Sequence, residues 1–540
     1  MPESFIDTVR PLYWLLFLSW AISLYWIRRP SWVLLGTLGS VAYLWGITTL
    51  PLGRVYALGV GSDRLNNLAM AIPAAAGNSF LQTHQVGQRN FEPFWSFFIA
   101  AVSGWDLDRA LTLYRYVSLL VLLAFSFGLY FGLRGSGDAW ERAFAVYFAI
   151  LLSTSPGDDL GPHRSTWNVS FLLKPNHNLA LVLVPPLLAL IARVRTWRGR
   201  VVSGLLLHLI GWVFVLHWVY VTVGLVFYVV LADRSARPKA ARDVGTAFGI
   251  NLAFVSPYLY TLFTTYPFTV RHGSLVLRSV SAHLLATTFD QGVVFLLALW
   301  GARVLYLRSK PIARLWLSLW LASFAVWLGY IGLSCAHIVR EVDEIYFFIR
   351  ITSGVLGGIG AWDLAVRGAE ELKLSRRVAP SAVLLLTLPL ALPCWWDPRQ
   401  NDAYFVGSVP PLPEPLTRVM AAVRRETAPG DAFIAGRRWG RYVAALGGRR
   451  LLIDRNLHVP PEYEDRARLE AALLRTGDSQ AANELRRRWG VRNVLVDPDF
   501  LKEFGLDLER LTAHPILKRV FTAADESGDA FILLRIEPGS

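Results

Sequence analysis

One carboxylate stands where general-base chemistry would need it. Gly59-Val60-Gly61-Ser62-Asp63 carries Asp63 from the end of an apolar run into an amphipathic stretch. At such a boundary, partial desolvation raises the basicity of an acid, and the side chain faces the headgroup zone, where a lipid-held substrate would present its reacting atom. The same position suits helix capping, because a helical pattern starts near Arg64, and one residue can serve both ends.

Further groups follow in later polar segments. Asp158, Asp159 and His163, with Arg164, combine carboxylates and imidazole in a way that could ligate a divalent cation, although an Asp-Asp pair also suits a solvated turn. Lys174 and His177 come just before the next apolar run, and His217 interrupts a long one at a place where a tight turn would bring its imidazole to an interface. His337 precedes a charged patch, Arg340, Glu341, Asp343 and Glu344, and Arg350 then lies about a turn inside an apolar helix. A guanidinium there is expensive unless paired, so it calls for a phosphate or carboxylate, supplied either by a ligand or by Asp343 or Glu344. Arg271 and Arg278 could extend an anion clamp. Trp95, Trp105, Trp167, Trp218, Tyr266 and Phe268 are expected mostly as interfacial belt residues.

The elements that hold these groups are membrane helices. Hydrophobic residues make up 54% of the chain and charged residues 17%, which excludes an ordinary soluble domain. Runs such as Tyr13 to Ile27, Ser31 to Leu50 and Val201 to Leu231 have spanning length, and the first reads as a retained anchor. Arginine-rich short connections mark the cytoplasmic side: Arg28 and Arg29, Arg134 to Arg142, Arg193 to Arg200, Arg234 to Arg242, Arg308 to Arg314, and Arg367 to Arg377. The expected fold class is thus a polytopic α-helical membrane protein of about twelve spans, both termini outside, with a C-terminal extracytoplasmic α/β domain.

Domain limits follow from composition. Residues 1–395 form the transmembrane part, with a first large outward loop at 51–110 whose pieces Leu65 to Ala76 and Phe94 to Val102 suit helices lying on the membrane surface. A Pro-rich linker covers 396–415 and a soluble domain 416–540. In that domain, strand-like runs at Ala432 to Ala435, Leu451 to Ile453, Val494 to Val496 and Ala530 to Leu534 alternate with helical patterns at Pro415 to Glu426, Tyr463 to Leu474 and Ser479 to Trp489.

The formal charge of +14 does not indicate nucleic acid as a partner. From Pro411 onward, 21 basic and 19 acidic side chains nearly cancel, so most of the excess belongs to the topology-setting loops. Two cysteines exclude a disulfide framework, and no Gly-rich phosphate loop is present.

The layout resembles the GT-C class of integral membrane glycosyltransferases. The residues that carry the likeness are Ser62-Asp63-Arg64 through Leu68-Ala69, Ala74-Ala75-Ala76-Gly77, Glu92-Pro93-Phe94, Lys174-Pro175-Asn176-His177-Asn178-Leu179, the turn at His217, Asp343 through Arg350, and Arg488 through Pro498. The resemblance implies transfer of a sugar from a polyprenyl-phosphate carrier to a glycan, lipid or protein acceptor on the extracytoplasmic face of a bacterial inner membrane, with inversion at the anomeric carbon. Asp63 matches the acid at the start of the first large loop, the presumed base or metal contact. Arg350, Arg271, Lys174, His177, His217 and His337 would hold the lipid phosphate and substrate, and a divalent metal would sit at Asp158, Asp159 and His163. The competing expectation is a non-catalytic scaffold of the same layout, or a transporter; the inverted repeats and mid-membrane polar residues of a transporter are not evident.

Overall fold

The computed structural model describes residues 15–16, 18–49, 63–90, 92–152, 175–265, 292–335, 345–396, 412–455, 460, 462–524 and 530–538. The chain divides into two compact units, residues 1–53 with 117–408, and residues 54–116 with 409–540.

The first unit is helical. Its elements are α1 (Leu18–Ile27), α2 (Pro30–Thr49), the greater part of a helix whose early residues belong to the second unit (α5, Leu107–Gly132), α6 (Ala139–Tyr147, continued by a π turn at Phe148–Leu152), α7 (Pro175–Arg193), α8 (Trp197–Val213), α9 (Val215–Leu231), α10 (Arg237–Thr265), α11 (Gly292–Arg308), α12 (Pro311–Cys335), α13 (Ile345–Glu371) and α14 (Ala379–Trp396). Among the described residues, Asn176–Arg193 and Pro311–Tyr330 are long and apolar enough to cross a membrane, and the bent helix Leu107–Gly132 is a third where its two halves count as one span.

The basic connections meet at one end of this bundle. Arg193 donates to the Arg134 carbonyl at 2.8 Å, Lys239 to the Val194 carbonyl at 3.0 Å, and Arg200 to Asp243 at 2.7 Å. Arg314 pairs with Asp233 at 2.6 Å and Arg308 with Glu141, while Arg376 lies 3.9 Å from Asp138. Because the start of α8 and the end of α9 both adjoin the start of α10, the chain must reverse between them. It does so at Phe214, whose backbone is extended (φ −156°, ψ 108°), rather than at His217-Trp218 as the sequence indicates; His217 falls in the first turn of α9.

Glycines set the closest crossings. A Cβ on Gly301 would lie 1.9 Å from the Leu356 carbonyl oxygen, and one on Gly360 would lie 2.1 Å from that of Leu297, so α11 and α13 touch through backbone. Gly301→Ala is expected to destabilise the purified protein by about 1–3 kcal/mol through overpacking, whereas Gly368→Ala, with nothing within 4 Å, should be neutral. Equal melting temperatures for the two variants would contradict this.

The second unit is an α/β fold. Between α2 and the rest of the bundle the chain contributes α3 (Asp63–Ala75) and α4 (Pro93–Val102). After it come α15 (Glu414–Glu426), β1 (Ala432–Ala435), α16 (Gly440–Ala445), β2 (Arg450–Leu451), α17 (Tyr463–Thr476), α18 (Ser479–Trp489), β3 (Val491–Val496), α19 (Pro498–Phe504), α20 (Leu508–Ala513), β4 (Leu517–Ala524) and β5 (Ala530–Ile536). Strand order is β2-β1-β3-β5-β4, with the first three parallel and the last two joined antiparallel. Ile434, Leu473, Leu485, Val494 and Leu534 fill the core.

Composition groups 51–110 with the membrane part, and here the contacts differ. Residues 54–116 cluster with 409–540. Helix α3 packs against α16, and Leu65, Leu68 and Ile72 are fully buried, so Leu65 to Ala76 is a core helix rather than one resting on lipid. Trp95 is likewise buried and donates to the Asn67 carbonyl at 3.2 Å, which removes it from an interfacial belt.

Two buried acids give this unit a pH dependence. Burial pushes the Glu470 carboxyl up to about 7, only partly opposed by Arg455 at 2.5 Å, and pushes Asp497 up to about 6 although it caps α19 through the Phe500 amide. Each keeps its proton in the folded chain at pH values where the unfolded chain has released it. Their contribution to stability is therefore complete near pH 4 and is lost as pH rises through 6 to 7, by a few kcal/mol at most between them. Hydrogen exchange in β3, corrected for intrinsic rates, should show more protection at pH 5 than at pH 7.5, and Glu470→Gln with Asp497→Asn should flatten the difference. A difference of opposite sign would refute the assignment.

Candidate functional site

The end of the first unit away from the arginine-rich connections gathers aromatic and cationic side chains. It is built from the start of α7, the α8–α9 reversal and the start of α13, each of which runs from this end toward the basic one. His177 stacks on Phe214 with ring centroids 3.7 Å apart, and the His217 ring lies 4.8 Å from Phe214, 6.2 Å from His177 and 5.5 Å from Phe348. Phe348 stacks in turn on Tyr220 at 4.8 Å, the two rings nearly parallel.

His217 is fully buried, and among the described residues neither of its ring nitrogens has a hydrogen-bond partner. A buried imidazole in that condition is costly unless something else meets it, which distinguishes it from a packed core histidine. Arg350, two residues beyond Phe348, is 1% exposed. Ser353, one turn further along α13, accepts from the Trp320 indole at 3.0 Å, tying this segment to α12. Such a setting holds a guanidinium in low dielectric, where its field on a bound anion is strong.

Of the residues singled out from sequence, His177, His217 and the segment bearing Arg350 are thus joined through the Phe214 and Phe348 rings. Asp63 is the first residue of α3, in the second unit. Arg271, Lys174, His337, Asp158, Asp159 and His163 lie outside the described residues. Among the described residues no group of three or more His, Cys, Asp or Glu side chains could hold a metal. Sequence reasoning passes over Phe214 and Tyr220 and takes Phe348 only as part of the 343–350 segment, because an aromatic in an apolar run carries no sign of what it will stack against.

No family profile matches the sequence, and no curated protein matches it. Solved structures do match, over nearly the whole chain. ArnT from Cupriavidus metallidurans in the apo state superposes with a TM-score of 0.55 at 12% identity, covering 94% of this chain and 98% of that one. The same protein bound to undecaprenyl phosphate gives 0.54 at 12% identity, over 93% and 98%. The oligosaccharyltransferase of Archaeoglobus fulgidus in its apo form gives 0.52 at 11% identity, over 92% and 74%. The chain therefore has the fold of the GT-C glycosyltransferases, the class of membrane protein to which these neighbours belong.

Proposed function

We propose that the chain is a glycosyltransferase that moves a sugar from a polyprenyl-phosphate carrier to the hydroxyl of a glycan, lipid or protein acceptor on the extracytoplasmic face of the membrane. The observation that carries this reading is the whole-chain likeness of fold to ArnT, a protein whose structure is also solved with undecaprenyl phosphate bound. The buried histidine and arginine segments at the end of the bundle away from the basic loops support it.

In this reading about twelve helices cross the bacterial inner membrane, with the arginine-rich connections in the cytoplasm and the C-terminal domain outside. Asp63 accepts the proton of the acceptor hydroxyl as its oxygen attacks the anomeric carbon, and the bond from that carbon to the carrier phosphate breaks with inversion. Arg350, with Arg271 and Lys174, meets the charge left on the phosphate, and His177, His217 and His337 line the same pocket. Asp158, Asp159 and His163 are the ligands proposed for a divalent cation that would share that charge.

The test is transfer of labelled sugar from undecaprenyl- and dolichyl-phosphate donors by the protein in lipid vesicles, with and without EDTA. Labelled acceptor is expected, at a rate lowered by EDTA and restored by Mg²⁺ or Mn²⁺. Folded protein that binds carrier phosphate yet gives no labelled product with any donor would replace this reading by a non-catalytic scaffold.

A further inference from the structure

The loop that begins with Asp63 does not end at the surface of the C-terminal domain; it completes that domain's sheet. Gln85 pairs in parallel with Leu451 of β2. The Leu451 amide donates to the His84 carbonyl at 2.7 Å and the Val86 amide to the Leu451 carbonyl at 2.9 Å, so the free edge of β2 is covered by three residues from the other end of the sequence.

The side chains fasten the same segment. Asp454, just past β2, accepts on one oxygen from His84 Nε2 and from Arg441 Nε, both at 2.8 Å, and all three are buried. The Asp454 amide donates to Gln85 Oε1, and Arg466 donates to the Val86 and Leu452 carbonyls, both at 2.8 Å. Burial lowers the Arg466 pKa to about 10, still charged at neutral pH, and its guanidinium lies over the Trp489 ring. Upstream, Asn78 donates to the Pro429 carbonyl at 3.0 Å, and Arg450 bonds Gln82.

Arg441 belongs to α16, the helix against which α3 packs. One carboxylate therefore ties together the strap at residues 84–86, the edge of the sheet and the helix that supports α3. We infer that Asp454 and His84 are positioning residues for Asp63, and that the C-terminal domain serves as the frame that fixes the catalytic loop. This rests on the glycosyltransferase reading for its catalytic half and on hydrogen-bond geometry alone for the rest.

A buried carboxylate that loses its charge while Arg441 stays buried leaves an uncompensated cation, so Asp454→Asn should loosen the strap. His84→Leu removes one donor, and His84→Gln keeps one. The experiment is hydrogen exchange on the full-length wild-type protein and these variants in vesicles, read over peptides spanning 78–90 and α3, alongside sugar-transfer kinetics.

In the wild type, the Val86 and Leu451 amides should exchange at least 100-fold more slowly than unstructured peptide. In Asp454→Asn and His84→Leu, exchange over 78–90 and α3 should rise together while β3 and β5 stay protected. Turnover should fall about 10-fold with the donor KM unchanged, and His84→Gln should restore much of it. Rapid exchange at Val86 in the wild type would overturn the inference without any variant, as would a loosened strap with unchanged turnover. If no donor supports transfer but the exchange pattern appears, the frame stands and the glycosyltransferase reading falls.

Discussion

Asp63→Asn is expected to lower sugar transfer by about 10²–10⁴-fold, the usual contribution of a positioned general base. The substitution separates two roles that the sequence leaves together. Asp63 is the first helical residue of α3, where Asn matches Asp in size and removes only a charge that contributes about 0.3–1 kcal/mol near a helix N-terminus. The amide variant would thus keep α3, which begins at this residue, while removing the proton acceptor. The expected signature is a collapsed turnover number with an unchanged melting temperature and unchanged donor binding, and wild-type activity that falls at acid pH as the carboxylate takes up a proton. Full turnover in the variant would remove Asp63 from the base role.

Arg350→Met is expected to reduce kcat/KM for the lipid donor by about 10–150-fold, since a hydrogen bond to a charged group contributes roughly 1.5–3 kcal/mol. Arg350→Lys should recover only part, because the ammonium keeps the charge but not the planar fork that matches a phosphate. The alternative, an internal ion pair with Asp343 or Glu344, has a different signature. Breaking a buried pair costs roughly 3–5 kcal/mol of stability, so the Met variant would then be thermally weak, and the surviving fraction would show an unchanged donor KM. The side chain is 1% exposed, so either outcome should be large enough to read.

Much of this architecture could be read from residue types. The arginine-rich connections were legible because charge beside apolar runs has one stable side, and they do share carbonyls and carboxylates at one end of the bundle. In the C-terminal domain, α18 has the limits its pattern indicates, and β1 does too, because Ala432 to Ala435 is buried on both faces and bounded by turn residues. Strand β4 escaped notice. Its Lys518 and Arg519 are exposed, and only Leu517 and Ala523 of its eight residues are buried, so no alternating apolar pattern marks it; pairing with β5 runs along its whole length.

The largest departure concerns α3. Leu65 to Ala76 reads as amphipathic, and an amphipathic helix next to a spanning run suits a lipid surface. What the pattern could not convey is a partner far along the chain: α3 packs against α16, and its leucines are buried. The candidate site shows the same limit. His177 and His217 stood out as imidazoles at apolar boundaries, but the Phe214 and Phe348 rings that join them are indistinguishable in sequence from their many aromatic neighbours.

The strap at residues 84–86 also has a meaning for biosynthesis. One α/β unit is encoded in two pieces with most of the helical bundle between them, so its opening piece leaves the ribosome early and its remaining strands leave last. Until residues 440–445 have been made, α3 has no α16 to pack against. A chain terminated before that point would leave this apolar helix without its partner and open to proteases.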